Sequence, residues 1–295
     1  MPCERSEKGM NFNMKKVVLI IIVIAVLVGG IFAATKLGGK QDNNVSTINA
    51  EKLEGCMKGI TLNVATTGTF APFTYYDESG ENVIGFDLDV INELQKLLGF
   101  EIANNKIPAM NAATITASIT EGKVDMGLAA LCATEERKKV MNFSDTYYEA
   151  GLIVVTNKET SPKEIKSLED LKSGKCTVAV ETGSASHLYA KKIGISEDSI
   201  KPYNEGPIAF AALEDGKVDC FIQDAPGVAY YIKTKADSKL TMVGEPFNQD
   251  DSPYAIALSF DICKKYTNIQ EVINKALKKL TDDGTMAKIE EKWCK

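Results

Sequence analysis

Few residues in this chain have the types and neighbours that do chemistry on a small molecule. There is one histidine, His187, in 295 residues. A Ser-His-Asp or Cys-His site would hang on that one ring, and a metal site built from several imidazoles cannot be assembled. Arg137 lies in the run Thr134-Glu135-Glu136-Arg137-Lys138-Lys139. It is either a solvated member of a charged stretch or a guanidinium set to grip a carboxylate through two parallel hydrogen bonds. Asp224, in Asp224-Ala225-Pro226, is either a helix N-cap or an anion for a buried cation. Gly183-Ser184-Ala185 follows an apolar run and opens a helical stretch, so its backbone N–H groups can cap an anion, although ordinary turns use the same residues. Glu181, just before it, is a solvated strand end or the partner of a donor-bearing group. The seven cysteines include no C-x-x-C pair, which argues against a zinc ribbon or a thioredoxin-like motif. No metal and no cofactor are expected.

Strand-like runs and amphipathic stretches alternate through the body of the chain and must position these side chains. Ile60 to Ala65, Val124 to Leu131, Leu152 to Thr156, Cys176 to Val180 and Cys220 to Ile222 read as short strands. Asp87 to Leu98 places Leu88, Ile91, Leu94 and Leu98 on one helical face and closes at Gly99. Strands apolar on both faces and separated by helices indicate mostly parallel sheets covered by helices, an α/β architecture. One segment recurs at domain-sized spacing. Glu121-Gly-Lys-Val-Asp125, after the helical stretch Ile107 to Ile119, returns as Asp215-Gly-Lys-Val-Asp219 after Glu205 to Leu213. Each copy reads as a helix stopped by a left-handed glycine, then a turn, then a buried strand. Two similar lobes would face each other across a cleft at the carboxyl ends of their strands, where open α/β sheets bind ligands.

Composition and the N-terminus bound the setting. The chain is 44% apolar and 25% charged with 9 Pro, the balance of an ordinary globular protein. With 34 Lys+Arg against 40 Asp+Glu, its formal charge of -6 argues against a nucleic-acid partner, because phosphate binding relies on an excess of cations. Residues 17–34 carry no charge and are just long enough, as a helix, to cross a bilayer core. They are expected to form an uncleaved membrane anchor, with a cleaved signal as the second reading. Arg5, Lys8, Lys15 and Lys16 would hold the preceding tail in the cytoplasm and leave everything after Lys40 outside. Met14 is an alternative start. Residues 1–50 are then tail, anchor and linker, and the rest suits two compact units.

Several motifs occur in the order of one family. Asp125 to Arg137 ends in Thr134, Glu136 and Arg137, and is followed by Phe143, Ser144 and Tyr147. Phe70 to Val90, Ser167 to Leu171, Asp224-Ala-Pro226 with Tyr230-Tyr231, and Asp282 to Trp293 complete the set. From about Leu53 to Trp293 the chain resembles the solute-binding proteins of polar amino-acid ATP-binding cassette uptake systems, bacterial solute-binding protein family 3. The resemblance implies a two-lobed, type II periplasmic-binding-protein-like fold, each lobe a mostly parallel sheet flanked by helices. Lobe 1 would be 51–150 with 250–295, and lobe 2 would be 151–249. The two hinge crossings would lie near Gly151 to Asn157 and near Asn248 to Ala257.

It also implies a non-enzymatic monomer at the periplasmic or extracellular face of the cytoplasmic membrane, or a secreted one if the N-terminus is cut. Such a protein captures a polar L-amino acid and delivers it to the membrane subunits of a permease. Arg137 would take the ligand carboxylate and Asp224 its ammonium. Phe70 would stack on the ligand, with Phe73 as core beneath it. Ser184 and Ala185 would add backbone donors, and Thr67, Ala130 and Cys132 would line the pocket. Cys132 stands where the family usually has a hydroxyl, Ala112 where it has a second aromatic, and Thr67 where it often has an acid, so the pocket would be roomier. Glu181, at a position that reads the ligand side chain, would favour donors. An enzyme resembling cyclohexadienyl dehydratase, with Glu181 as general acid, and a sensory module are the alternatives. Cys176 and Cys220 begin neighbouring strands and Cys56, Cys263 and Cys294 share lobe 1, with their pairing open.

Overall fold

The computed structural model describes residues 45–294. The expected anchor at 17–34, its basic flank and the first part of the linker lie outside the described residues. Among the described residues no helix is long and apolar enough to cross a membrane.

Two mixed sheets organise the structure. The larger has five strands in the order Ile200–Tyr203, Val178–Glu181, Cys220–Asp224, Leu152–Asn157, Leu240–Phe247. Its first three strands run parallel and its last two pair antiparallel. The smaller has four, in the order Val64–Ala65, Met126–Gly127, Tyr254–Leu258, Asn142–Tyr148, with only the first pair parallel. Parallel pairing occurs where a helix connects the strands, and the antiparallel strands are those beside the two crossings. All six residues of Leu152–Asn157 are buried, as a strand covered on both faces requires. The chain passes between the sheets at 149–151 and 248–253. The first crossing is shorter than expected, because Leu152 is already paired with Asp224 and Phe247.

Two expected elements shrink for local reasons. The strand expected over Val124 to Leu131 is only Met126–Gly127; a bend follows, with Ala130 in the left-handed region at φ 48, before Cys132 bridges back to Tyr254. The helix expected from Ile107 begins at Ala112, where the Asn111 side chain accepts from the N–H of Thr114 at 2.8 Å. Ahead of it Ala109 still bridges to Thr66.

The repeated segment performs the same task twice. Helices Ala112–Thr120 and Gly206–Glu214 are followed by Gly122 at φ 70 and Gly216 at φ 67. Asp125 Oδ2 then accepts from the backbone N–H of Asn63 at 2.7 Å and from its amide at 3.0 Å. Asp219 Oδ2 accepts from the backbone N–H of Thr177 at 2.7 Å and from its hydroxyl at 2.8 Å. Each carboxylate pins the start of the adjacent parallel strand and sets its register.

None of the six described cysteines forms a disulfide. Cys220 begins its strand, but Cys176 lies two residues ahead of the adjacent one, Val178–Glu181, and their thiols donate to separate carbonyls, of Thr177 and Asp170, at 3.8 Å each. Trp293 holds the last helix, Thr285–Cys294, against helix Phe86–Leu98 by donating to Asp89 Oδ2 at 2.7 Å. Its ring lies 6.1 Å from Tyr75, which is 6.3 Å from Tyr230 on helix Ala225–Thr234.

Candidate functional site

A small cavity of about 40 Å³ is lined from both sheets. Glu181 and Asp224 end adjacent strands of the five-stranded sheet. The loop 129–132 and Arg137 follow a strand of the four-stranded one. All nine residues expected at the site, Thr67, Phe70, Ala130, Cys132, Arg137, Glu181, Ser184, Ala185 and Asp224, contribute to this one wall, as does Ala112.

Arg137 is 5% exposed, although its neighbours Glu135 and Lys138 pair with each other in solvent. Thr134 caps the short helix Glu135–Lys138 by accepting from the N–H of Arg137 at 3.3 Å. The guanidinium then spans the cavity. Nη1 donates to Cys132 O at 3.0 Å and Nη2 to Gly183 O at 3.1 Å, while Nε is buried without a partner. Burial lowers its pKa, and the carboxyls of Asp224 and Glu181 pull it back, so the group stays cationic.

Two carboxyls face that cation. Burial pushes Asp224 up to about 7, with the Tyr254 hydroxyl and Arg137 acting against it. Tyr254 Oη faces this carboxyl outside strict hydrogen-bond geometry. Burial and then the charge of Asp224 raise Glu181 to about 7, with Glu205 adding to the shift and Gln223 and Arg137 opposing it. Both residues are half-buried by surface area. Their remaining exposure is to the cavity they line rather than to bulk water, which is why desolvation dominates. The Cys132 thiol, raised well above its ordinary value first by burial and then by Asp224, remains protonated.

The expected backbone donors need correction. Gly183 N–H donates to His187 Nδ1 at 3.2 Å, and Ser184 N–H donates to Glu181 O at 3.1 Å. Of these three, Ala185 N–H, the first of helix Ala185–Lys192, is the one that lacks an acceptor among the described residues. Sequence spacing hid this because His187 reads simply as an exposed or half-buried helix residue. Its ring instead closes the turn, and burial lowers its pKa, consistent with a neutral acceptor nitrogen.

On the opposite wall, Phe70 stacks on Phe73 at 5.6 Å and meets Tyr254 edge-on at 6.4 Å, and Phe73 is fully buried. Thr67, standing where an acid was the alternative, shares a 2.5 Å hydroxyl hydrogen bond with Thr74.

Residues 62–295 match the sequence pattern of the bacterial extracellular solute-binding proteins, family 3. This chain belongs to that family. The L-cystine-binding protein TcyA of Bacillus subtilis (strain 168) is 28% identical over 283 residues, 95% of this chain and 97% of that protein. An ancestral arginine-binding protein bound to glutamine is 37% identical, with a TM-score of 0.69 over 80% of this chain and 98% of its own. An ancestral amino acid-binding protein, a precursor of cyclohexadienyl dehydratase, is 30% identical with a TM-score of 0.66, over 80% and 95%. The α/β fold is the type II periplasmic-binding-protein fold.

Two residues of this solute-binding protein escaped sequence reasoning. Gln223 is 2% exposed, lines the cavity, and leaves Nε2 without a partner. Its place beside Asp224 was the available signal. Asp87, fully buried, accepts from Ala130 N–H at 2.6 Å and from Tyr147 Oη at 2.9 Å, and so holds Ala130 in its left-handed conformation at the cavity edge. Asp87→Ala strands both donors and is expected to cost about 1–3 kcal/mol for each group left unpaired, read as a lower melting temperature.

Burial raises the Asp87 carboxyl from 3.8 to about 7, against those two hydrogen bonds. A carboxyl whose folded pKa lies above its unfolded value takes up a proton on folding. Its contribution therefore favours the fold most below pH 4 and is lost as pH rises through about 7. Asp87→Asn is expected to flatten that part of the stability profile in thermal melts from pH 5 to 8, and an unaltered profile would count against the assignment.

Proposed function

We propose that this solute-binding protein captures a polar L-amino acid outside the cytoplasmic membrane and delivers it to the membrane subunits of an ATP-binding cassette permease. The observation that carries the reading is that Arg137 and Asp224 reach one cavity from two different sheets. An amino acid presents a carboxylate and an ammonium, and enclosing either without a partner costs several kcal/mol. Arg137 takes the carboxylate, aided by the N–H of Ala185, and Asp224 takes the ammonium. Phe70 covers the ligand, while Thr67, Ala130, Cys132 and Ser184 shape the remaining wall.

Residues 51–150 with 250–295 and residues 151–249 act as two lobes that shut about 149–151 and 248–253. The ligand drives closure because it bonds both lobes only when they are shut. Family membership supports an extracellular or periplasmic site of action; the tether, at 17–34, and the monomeric state are part of the proposal. Recovery of the full chain with membranes, and its release when 1–40 are deleted, tests the tether.

A second reading has one observation in its favour. Glu181, near half-protonated at neutral pH in a cleft, is suited to act as general acid in an elimination on a cyclic dienyl acid. Turnover assays with prephenate and arogenate separate the two. The binding reading is tested by a thermal-shift screen of the twenty amino acids with cystine and ornithine. A ligand at a hundred times its Kd adds about 2.7 kcal/mol to stability, so at least one compound should raise the melting temperature by several degrees. No shift with any of them overturns the reading.

A further inference from the structure

We infer that the amino acid held in this cavity carries a cationic side chain and that Glu181 is its partner. This rests on the amino-acid reading above and adds the ligand's net charge.

The argument is a charge count. The charged side chains on the wall are Arg137, Glu181 and Asp224, one cation against two carboxylates. A zwitterion bound through Arg137 and Asp224 adds no net charge and leaves Glu181 alone. The charged groups facing Glu181 cannot serve it. Asp224 and Glu205 are anionic, and Arg137 already serves Cys132 O, Gly183 O and the ligand carboxylate.

The N-terminus of helix Gly206–Glu214 lies close by, since a Cβ at Gly206 would sit 3.4 Å from Glu181 Oε2. A helix end supplies only about half a charge, and Glu181 is still pushed up to about 7. Gln223, buried beside it, opposes that rise only as a neutral donor and brings no charge. A side-chain ammonium or guanidinium brings wall and ligand to neutrality and gives Glu181 its counter-charge. L-cystine fits worse, because its far end carries a carboxylate beside the ammonium.

Isothermal titration of the full chain at pH 6, 7 and 8 tests this with L-arginine, L-ornithine, L-glutamine, L-norleucine and L-cystine. At pH 8 the two cationic ligands are expected to bind at least tenfold more tightly than the other three. As pH falls to 6, Asp224 must lose its proton to hold any of the ligands, and Glu181 must lose a second only for the cationic ones. Their affinity therefore falls more steeply, by up to one extra decade per pH unit. Glu181→Gln is expected to erase the margin while glutamine and norleucine still bind.

Glutamine, norleucine or cystine binding as tightly as arginine to the unaltered protein at pH 8 overturns the inference alone, and so does a margin that survives Glu181→Gln. Absence of heat with every amino acid overturns the amino-acid reading, and this inference with it.

Discussion

Alanine at Arg137 is expected to abolish the response of this protein to any amino acid while leaving its cooperative unfolding in place. The guanidinium is the one cation on the cavity wall. Removing one partner of a buried pair costs about 3–5 kcal/mol, because the other charge stays buried. That corresponds to a loss of roughly two to four decades in Kd. The fold should tolerate the change, since Arg137 bonds only two carbonyls, Cys132 O and Gly183 O. Both border the cavity, and water can reach them once the side chain is gone. Arg137→Lys should be intermediate, because a point charge cannot serve both carbonyls and a carboxylate in one plane. Titration and thermal shift read the result, and undiminished binding by the alanine variant would remove the basis of the clamp.

Gly227→Ala is expected to weaken binding at least tenfold by keeping the lobes apart. A Cβ at Gly227 would overlap Cε2 of Phe70 and lie 2.7 Å from its Cζ. Phe70 belongs to strand Thr69–Phe70, on the other side of the cavity from helix Ala225–Thr234. It cannot yield easily, being stacked on Phe73 and set against Tyr254. Alanine is the better helix former by up to about 1 kcal/mol, so the ligand-free melting temperature should hold or rise while affinity drops. Small-angle scattering with ligand present should show a larger radius of gyration than the unaltered protein. Unchanged affinity would mean that Phe70 moves freely, against the packing described.

Much of the site was legible because its chemistry needs particular side chains at the ends of particular strands. Arg137, Asp224 and Glu181 were readable as candidates from type and neighbours, but whether they were solvated or enclosed was not. Burial is a property of packing between segments far apart in sequence. Glu135 and Lys138 stay in solvent within two residues of a buried Arg137, and local composition does not distinguish them. The repeat was legible as a pattern, yet the use of Asp125 and Asp219 to pin the neighbouring strand was not. Their partners, Asn63 and Thr177, lie just ahead of strands remote in the chain. Asp87 was hidden for the opposite reason, since an acid in the first turn of helix Phe86–Leu98 already has an adequate explanation in the helix dipole. Its bond to Ala130 spans 43 residues.

The ring series Trp293, Tyr75, Tyr230 has a practical consequence. The chain has a single tryptophan, so its emission comes from one indole. That indole touches Tyr75, and Tyr75 meets Tyr230 across the gap between the two halves. Motion of Tyr230 alters the surroundings of the fluorophore through one intervening phenol. On the proposed closure of the two lobes, the native protein contains its own optical gauge of that motion, readable by stopped-flow mixing without any attached dye.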